Sequence, residues 1–407
     1  MQLMFDDEHF SYQLLKTLGA SSYGGADIGE CLSTAARIKD GDGDSWYTEW
    51  FHTAERIHGI AQTALTSGHT VSACGAFLRA MKYYRVAESY LHGRVQEPRI
   101  GELARRGHAC FRSYMDLCAF PLEPVEIPYQ GDTLPGFFYP ASSDDPDERR
   151  PTVIAQLGFD GTQEELVGVA FAAVSRGYNC LTFEGPGQGR VLREKELPLR
   201  PDWETVIMPV LEFLLDRPAI DPNRIALVGY GLGGHLAARA AAFEPRITTL
   251  ISNGGFFSLF NERMLPPQST MADVTQMASI SPDAFNRRML SAMEKDRVVR
   301  WSVQTGMHTF RAPNPADYWL KGISYTLEGI AHRIQCPTLV LDAENDIFYG
   351  DESKRLNDAL TCPKTYLLFT AEEGADAYTQ AGAELLANQR MFDWLDEVFA
   401  QLDEPAE

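Results

Sequence analysis

The pattern of apolar positions changes character once along this chain, near residue 120. Before that point, stretches such as AERIHGIAQTALTSGHTVSACGAFLRAMKYYRVAESYL carry apolar residues at helical spacing and show no strand-like alternation. Trp46 and Trp50 stand four apart, on one helical face, and read as packed core. The glycine pair in SYGGAD marks an early turn or a close backbone approach. After Pro121, VEIPYQGDTLPGFFYP alternates around a QGD turn and predicts a β-hairpin. The segments TVIAQLGF, NCLTFEGPGQG, IALVGY and ITTLISNGG then read as strands. Between them lie the helical patterns EELVGVAFAAVSRGY, WETVIMPVLEFLLDR and HLAARAAAFE. Such alternation predicts βαβ units and a parallel sheet. From about residue 260 to 320 the strand signal stops, and a Met- and Arg-rich stretch predicts a helical insertion. The alternation resumes with PTLVLDAENDIF, ESKRLNDAL and TYLLFT, closes with the helix LLANQRMFDWLDEVFAQL, and leaves QLDEPAE as a frayed tail. The fold class is therefore α/β, with a helical domain over 1–120 and an α/β core over 121–407 that carries the insertion.

Composition narrows the partners. A chain of 407 residues that is 44% hydrophobic can bury a large core. Its net charge of −20 repels phosphate backbones and anionic lipid, so neither nucleic acid nor a membrane surface is an expected partner. No apolar run approaches the roughly 20 residues that span a bilayer. MQLMFDDEHF lacks the basic and apolar regions of a signal peptide. Seven scattered cysteines without C-x-x-C suggest a reduced, cytoplasmic protein, and no metal-ligand spacing occurs. No cofactor and no metal are expected.

The chemistry centres on IALVGYGLGGHLAARAA, a strand, a glycine-rich turn and a helix. Gly229, Gly231 and Gly234 fit the dinucleotide-binding spacing G-x-G-x-x-G. That motif needs the first strand of its unit and an acid about 20 residues on. Here at least two β-α units precede it, and the next strand ends at Asn253. Gly229, Gly231 and Gly233 also fit G-x-S-x-G, the strained turn that presents a nucleophile, with glycine in place of the serine.

The second reading gains support from SYGGADIGECL, IPYQGDTLPGFFYP, FEGPGQG, LDAENDIFY and FTAEEGADAYTQAGAE, in this order. With them the chain resembles the α/β-hydrolases, in particular the bacterial group with an N-terminal helical cap that includes 2,6-dihydroxypseudooxynicotine hydrolase-like enzymes. The resemblance implies a nucleophile position at Gly231 and an oxyanion hole from the N–H of Leu232 and of Phe159 or Asp160. It implies an acid at Asp346 and, where the catalytic histidine would stand, Tyr378. It also implies a homodimer. The last of the nine histidines is His332, so no Ser–Asp–His order can be completed behind Asp346. A laboratory Ser→Gly change would explain Gly231 but not Tyr378. Glu184, Tyr230, Tyr23, Asp27 and His308 are further candidates for the pocket, and His235 follows the turn.

These features predict a non-hydrolytic enzyme on an α/β-hydrolase fold, a natural-product tailoring step on a bulky aromatic or polyketide-like small molecule. C–C bond formation, cyclisation or C–C cleavage would use the oxyanion hole with Tyr378, which would donate or accept a proton and be oriented by Asp346. Two alternatives stay open: a small-molecule-binding pseudo-hydrolase, and an inactivated variant of a serine C–C hydrolase or esterase.

Overall fold

The computed structural model describes residues 3–93, 97–142, 148–159 and 161–402. Five helices come first: α1 (Glu8–Gly19), α2 (Ile28–Ala35), α3 (Gly43–Thr66), α4 (Thr70–Ala87) and α5 (Pro98–Leu117). Asp7, Asp27 and Asp42 cap the first three, each carboxylate accepting from a first-turn N–H. Trp46 and Trp50 are fully buried with rings 5.9 Å apart, and Trp46 Nε1 donates to the Val86 carbonyl at 2.8 Å, which ties α3 to α4. Helix α4 is enclosed on nearly every face: Met81, Lys82, Tyr83, Tyr84, Val86 and Ala87 are all buried.

The change from helices to strands falls between Leu117 and Glu123. Strands β1 (Glu123–Tyr129) and β2 (Asp132–Tyr139) pair antiparallel around Gln130 and Gly131, at φ 47° and 83°. Two left-handed residues give the tight hairpin turn whose twist matches its strands. The remaining strands are β3 (Arg150–Gln156), β4 (Asn179–Phe183), β5 (Ile220–Tyr230), β6 (Thr249–Asn253), β7 (Thr338–Ala343) and β8 (Lys364–Phe369). They run parallel to one another, in the sheet order β1-β2-β4-β3-β5-β6-β7-β8. The central strands alternate between two cores. Val153, Ala155, Ala226, Val228 and Ile251 face one, and Ile154, Leu181, Ile225, Leu227 and Leu250 face the other. Burial on both faces is why these strands read as continuous apolar runs.

Helices α6 (Val167–Val174), α7 (Gly189–Glu194), α8 (Glu204–Leu215) and α9 (Leu232–Ala241) flank the sheet. The helix expected over EELVGVAFAAVSRGY starts as a 3₁₀ turn, Gln163–Leu166, closed by a Thr162–Glu165 capping box. Helix α7, after FEGPGQG, was not foreseen from the pattern. The insertion carries α10 (Met271–Ile280), α11 (Pro282–Lys295), α12 (Arg297–Thr309) and α13 (Pro315–Gly322). Helices α14 (Glu352–Ala359) and α15 (Glu384–Leu402) complete the fold. The chain leaves β3 for β4 on one side and returns to β5 on the other. This makes the carboxyl ends of β3 and β5 a topological switch point, where open α/β sheets place their ligands. Among the described residues, no helix is long and apolar enough to cross a membrane.

Candidate active site

The glycine turn sits at that switch point. Gly231 has φ 60° and ψ −126°, lies between β5 and α9, and donates its N–H to the Asn253 carbonyl at 2.8 Å. The flanking glycines are fixed by crowding from the neighbouring chain. A Cβ on Gly229 would lie 2.0 Å from the Gly233 oxygen, one on Gly233 2.7 Å from the Leu157 carbonyl carbon, and one on Gly234 2.8 Å from Ser252 Oγ. The loop after β3 approaches as closely, since a Cβ on Gly158 would lie 2.5 Å from the Leu232 Cβ. This contact brings Leu232 and Phe159 to one place. Neither N–H has a backbone acceptor among the described residues. Both amides stand at or beside a helix N-terminus, where unpaired N–H groups favour negative charge. Asp160, the other candidate on that loop, lies outside the described residues.

Tyr378 follows β8 and faces the turn. A Cβ built on Gly231 would lie 2.5 Å from the Tyr378 hydroxyl, and one built on Gly254 would lie 2.8 Å from its ring. The phenol therefore fills a slot left by two glycines, one at the end of β5 and one at the end of β6. Its ring packs on Phe348 and Tyr349, with centroids 5.0 and 5.7 Å away. Burial, reinforced by Tyr349 and the Asp346 charge, holds the phenol well above its usual pKa, so it carries its proton. The two residues after it, Thr379 and Gln380, take φ 53° and 52°. Left-handed backbone at consecutive non-glycine residues is strained, and such strain tends to gather at functional sites.

Asp346 does not hydrogen-bond to Tyr378. Its carboxylate accepts from the N–H groups of Phe348 (2.7 Å) and Tyr349 (3.2 Å), and burial raises its pKa to about 6. The expectation that Asp346 orients the phenol is thus corrected: aromatic packing orients Tyr378, and Asp346 acts on it only through charge. The two loops are joined instead by Asn345, whose N–H and side chain donate to the Asp376 carbonyl and carboxylate at 2.9 and 2.8 Å.

A cavity of about 220 Å³ opens beside Gly231, lined there by Phe159, Leu232, Tyr230 and Tyr378. Helices α1 and α4 supply Tyr12, Lys16, Lys82 and Arg85, and Trp301 of the insertion closes part of the wall. Tyr12 and Tyr378 also border a second, acidic cleft that holds Asp6, Glu8, Glu344 and Asp346.

Of the other sequence candidates, only Tyr230 lines the cavity. Glu184 is buried elsewhere and accepts from the N–H groups of Gln163 (3.1 Å) and Arg190 (2.7 Å). Burial beside Glu164 pushes its pKa up to about 8, and it shapes loops rather than the pocket. Asp27 is an exposed helix cap. Tyr23 packs against Gly168 and accepts from Asn388 Nδ2 at 2.9 Å, so it touches the cavity only through that wall residue. His308 stacks on His92 with centroids 4.8 Å apart, and His92, not His308, lines the cavity. His235 is buried behind the turn, against the Phe256 carbonyl at 3.0 Å. Sequence reasoning missed Lys16, Lys82, Arg85, Glu165 and Glu384, because charges at helical spacing read as solvent-facing. One signal was available: MKYYRVA offers no polar stripe wide enough to keep both cations in water.

Comparison with known proteins agrees with this architecture. The solved structure of 2,6-dihydroxy-pseudo-oxynicotine hydrolase superposes with a TM-score of 0.73 at 20% identity, over 95% of this chain and 97% of that one. The hydrolase LUC6 of a Fusarium species is 34% identical over 98% of both chains. The 20-hydroxy-prefusarin hydrolase FUS2 of Gibberella moniliformis is 34% identical over 98% of this chain and 99% of its own. A model of the FrsA-like esterase family matches residues 29–315, and with these full-length relatives it shows that the chain belongs to that family of α/β-hydrolase-fold proteins.

Proposed function

We propose that the protein is a non-hydrolytic enzyme of natural-product tailoring, acting on a bulky, partly apolar carbonyl compound held in the cavity beside Gly231. The observation that carries this reading is the 2.5 Å separation between a Cβ at position 231 and the Tyr378 hydroxyl. A side chain at position 231 would press on the phenol, so we read Gly231 and Tyr378 as a matched pair rather than a serine site with one part missing. The N–H groups of Leu232 and Phe159 receive a carbonyl oxygen and stabilise the enolate that forms from it. Water in the cavity takes the α-proton as the enolate forms; Tyr378, kept protonated, gives its own proton to the enolate oxygen and recovers one from that hydronium as the enol goes on to product. No covalent enzyme intermediate is needed. Enolisation with C–C bond formation, cyclisation or elimination fits this set of groups.

The relatives named as hydrolases favour a second reading, in which water adds to the same polarised carbonyl. One experiment separates the two. The chain is incubated in H₂¹⁸O with metabolite extracts of polyketide-producing fungi, and products are followed by mass. The expected product is isomeric with its precursor or lighter by water, carries no ¹⁸O, and forms at least about 100-fold more slowly with Tyr378→Phe. Incorporation of ¹⁸O into product would establish hydrolysis instead. A metabolite that binds and always returns unchanged would make the protein a carrier. Nitrophenyl esters should not be turned over.

A further inference from the structure

The cavity wall formed by α1 and α4 carries charge that the chemistry at Gly231 does not use. Lys16, Lys82 and Arg85 converge there on one carboxylate, Glu165, at 3.2, 3.7 and 2.9 Å. Glu165 is held well below the usual carboxylate range by these three cations, so it is a full negative charge. Arg85 is satisfied, since it also pairs with Glu88 at 3.4 Å. Lys16 makes a hydrogen bond to Glu165 at 3.2 Å. Lys82 differs. It is 7% exposed, lines the cavity, and makes no hydrogen bond to a described residue; among the described residues the one carboxylate within 4 Å of it is Glu165, at 3.7 Å. Burial lowers the Lys82 pKa, because an ammonium with its donors unspent is costly away from water, and such groups are ordinarily paired.

The second carboxyl on this wall, Glu384, does not supply the missing partner. It makes no hydrogen bond to a described residue, and burial pushes its pKa up. Lys16 is thus matched by Glu165, and Arg85 by Glu165 and Glu88, which leaves Lys82 beside a carboxyl, Glu384, whose pKa is raised by burial. We propose that Lys82, supported by Lys16 and Arg85, is the subsite for a carboxylate of the molecule bound in the cavity. A monoanion fits better than a phosphate. One negative charge balances Lys82, whereas a dianion would face the Glu165 carboxylate and the Glu384 carboxyl at close range. This subsite rests on the reading that the cavity is where the small molecule binds, and it adds that the substrate is an acid as well as a carbonyl compound.

The test uses decanoate and decanamide, equal in length and differing in charge, titrated into the full-length protein by calorimetry. Decanoate should bind about ten-fold or more tightly than decanamide, the order expected of a charge-assisted hydrogen bond. In Lys82→Met the preference should shrink to within about two-fold, with decanamide binding unchanged; Lys82→Gln provides the same comparison should the Met variant fail to fold. Equal binding of both probes by the unaltered protein would overturn the carboxylate subsite and leave the cavity as a binding site. A preference that survives both substitutions would place the anion elsewhere and overturn the role of Lys82. Binding of neither probe would remove the cavity reading and the subsite with it.

Discussion

The turn at Gly231 and the loop at Tyr378 meet across one gap, yet they are held by opposite means. In the turn, the neighbouring glycines are demanded by close approach of backbone: Gly229 on the Gly233 carbonyl, Gly233 on the Leu157 carbonyl, and Gly158 on the Leu232 Cβ and the Gly233 nitrogen. In the loop, Thr379 and Gln380 carry full side chains through left-handed backbone, where glycine would be unstrained. The first region is a template that tolerates no added atom. The second is a replaceable part, kept in a costly conformation by what surrounds it.

The largest effect should come from adding one methyl group to the template. Gly229→Ala puts a carbon 2.0 Å from a backbone oxygen that cannot move without opening the turn. A loss of about 3 kcal/mol or more is expected, at the upper end of overpacking costs. Denaturant midpoints would show it, and a change below about 1 kcal/mol would mean that the turn is softer than its contacts imply.

Gly231→Ser sharpens the comparison because it touches both regions. A side chain at φ 60° costs about 1–3 kcal/mol in backbone strain, and the contact with the Tyr378 hydroxyl adds overpacking of similar size. Tyr378→Ala should remove the second part only. A double-mutant cycle should thus show a coupling of about 1–2 kcal/mol between positions 231 and 378, with the serine tolerated better when the phenol is absent. Zero coupling would break the idea of a matched pair. Neither variant is expected to turn over nitrophenyl esters, since no histidine follows His332.

The difference between the regions also explains what could be read from sequence. The hairpin, the parallel sheet, the insertion and the glycine turn all leave local marks: alternation, continuous apolar runs and residues with no side chain. The crowding at Gly229, Gly233 and Gly234 was legible because only glycine fits there. That Tyr378 fills a slot between Gly231 and Gly254 was not, because Gly254 reads as the end of a strand and its contact lies more than a hundred residues away. Lys82 was hidden for another reason. The spacing of α4 places it on a helix face, and only the packing of α3, α5 and α1 turns that face inward.

Asp346 tests how far the loop's surroundings bear strain. Its pKa is raised to about 6 from an ordinary 3.8. A raised carboxylate stabilises the fold fully below its unfolded pKa, and that contribution is lost as pH rises through the folded value. At pH 8 the ionised, buried carboxylate therefore costs up to about 3 kcal/mol. Asp346→Asn keeps an acceptor for the Phe348 and Tyr349 amides and removes the charge. It should raise stability by about 1–3 kcal/mol at pH 8, less at pH 6, and by nothing measurable below about pH 4. Melting temperatures across that range would check the sign, and a gain that did not vary with pH would exclude titration as its cause.

The smallest effect is expected where the replaceable part is made easier to hold. Thr379→Gly relieves a β-branched residue from left-handed backbone, worth roughly 1–2 kcal/mol. It also removes the hydrogen bond from Thr379 Oγ1 to the Tyr378 carbonyl at 2.7 Å, and gives the unfolded chain more freedom to lose. These terms oppose each other, so net stability should change by less than about 1 kcal/mol. A methyl added at Gly229 and a side chain deleted at Thr379 would then differ several-fold in effect, although each alters one residue beside the same cavity. Were Thr379→Gly to destabilise as strongly as Gly229→Ala, the strained backbone at Tyr378 would be as much a fixed template as the turn it faces, and the contrast between the two regions would fail.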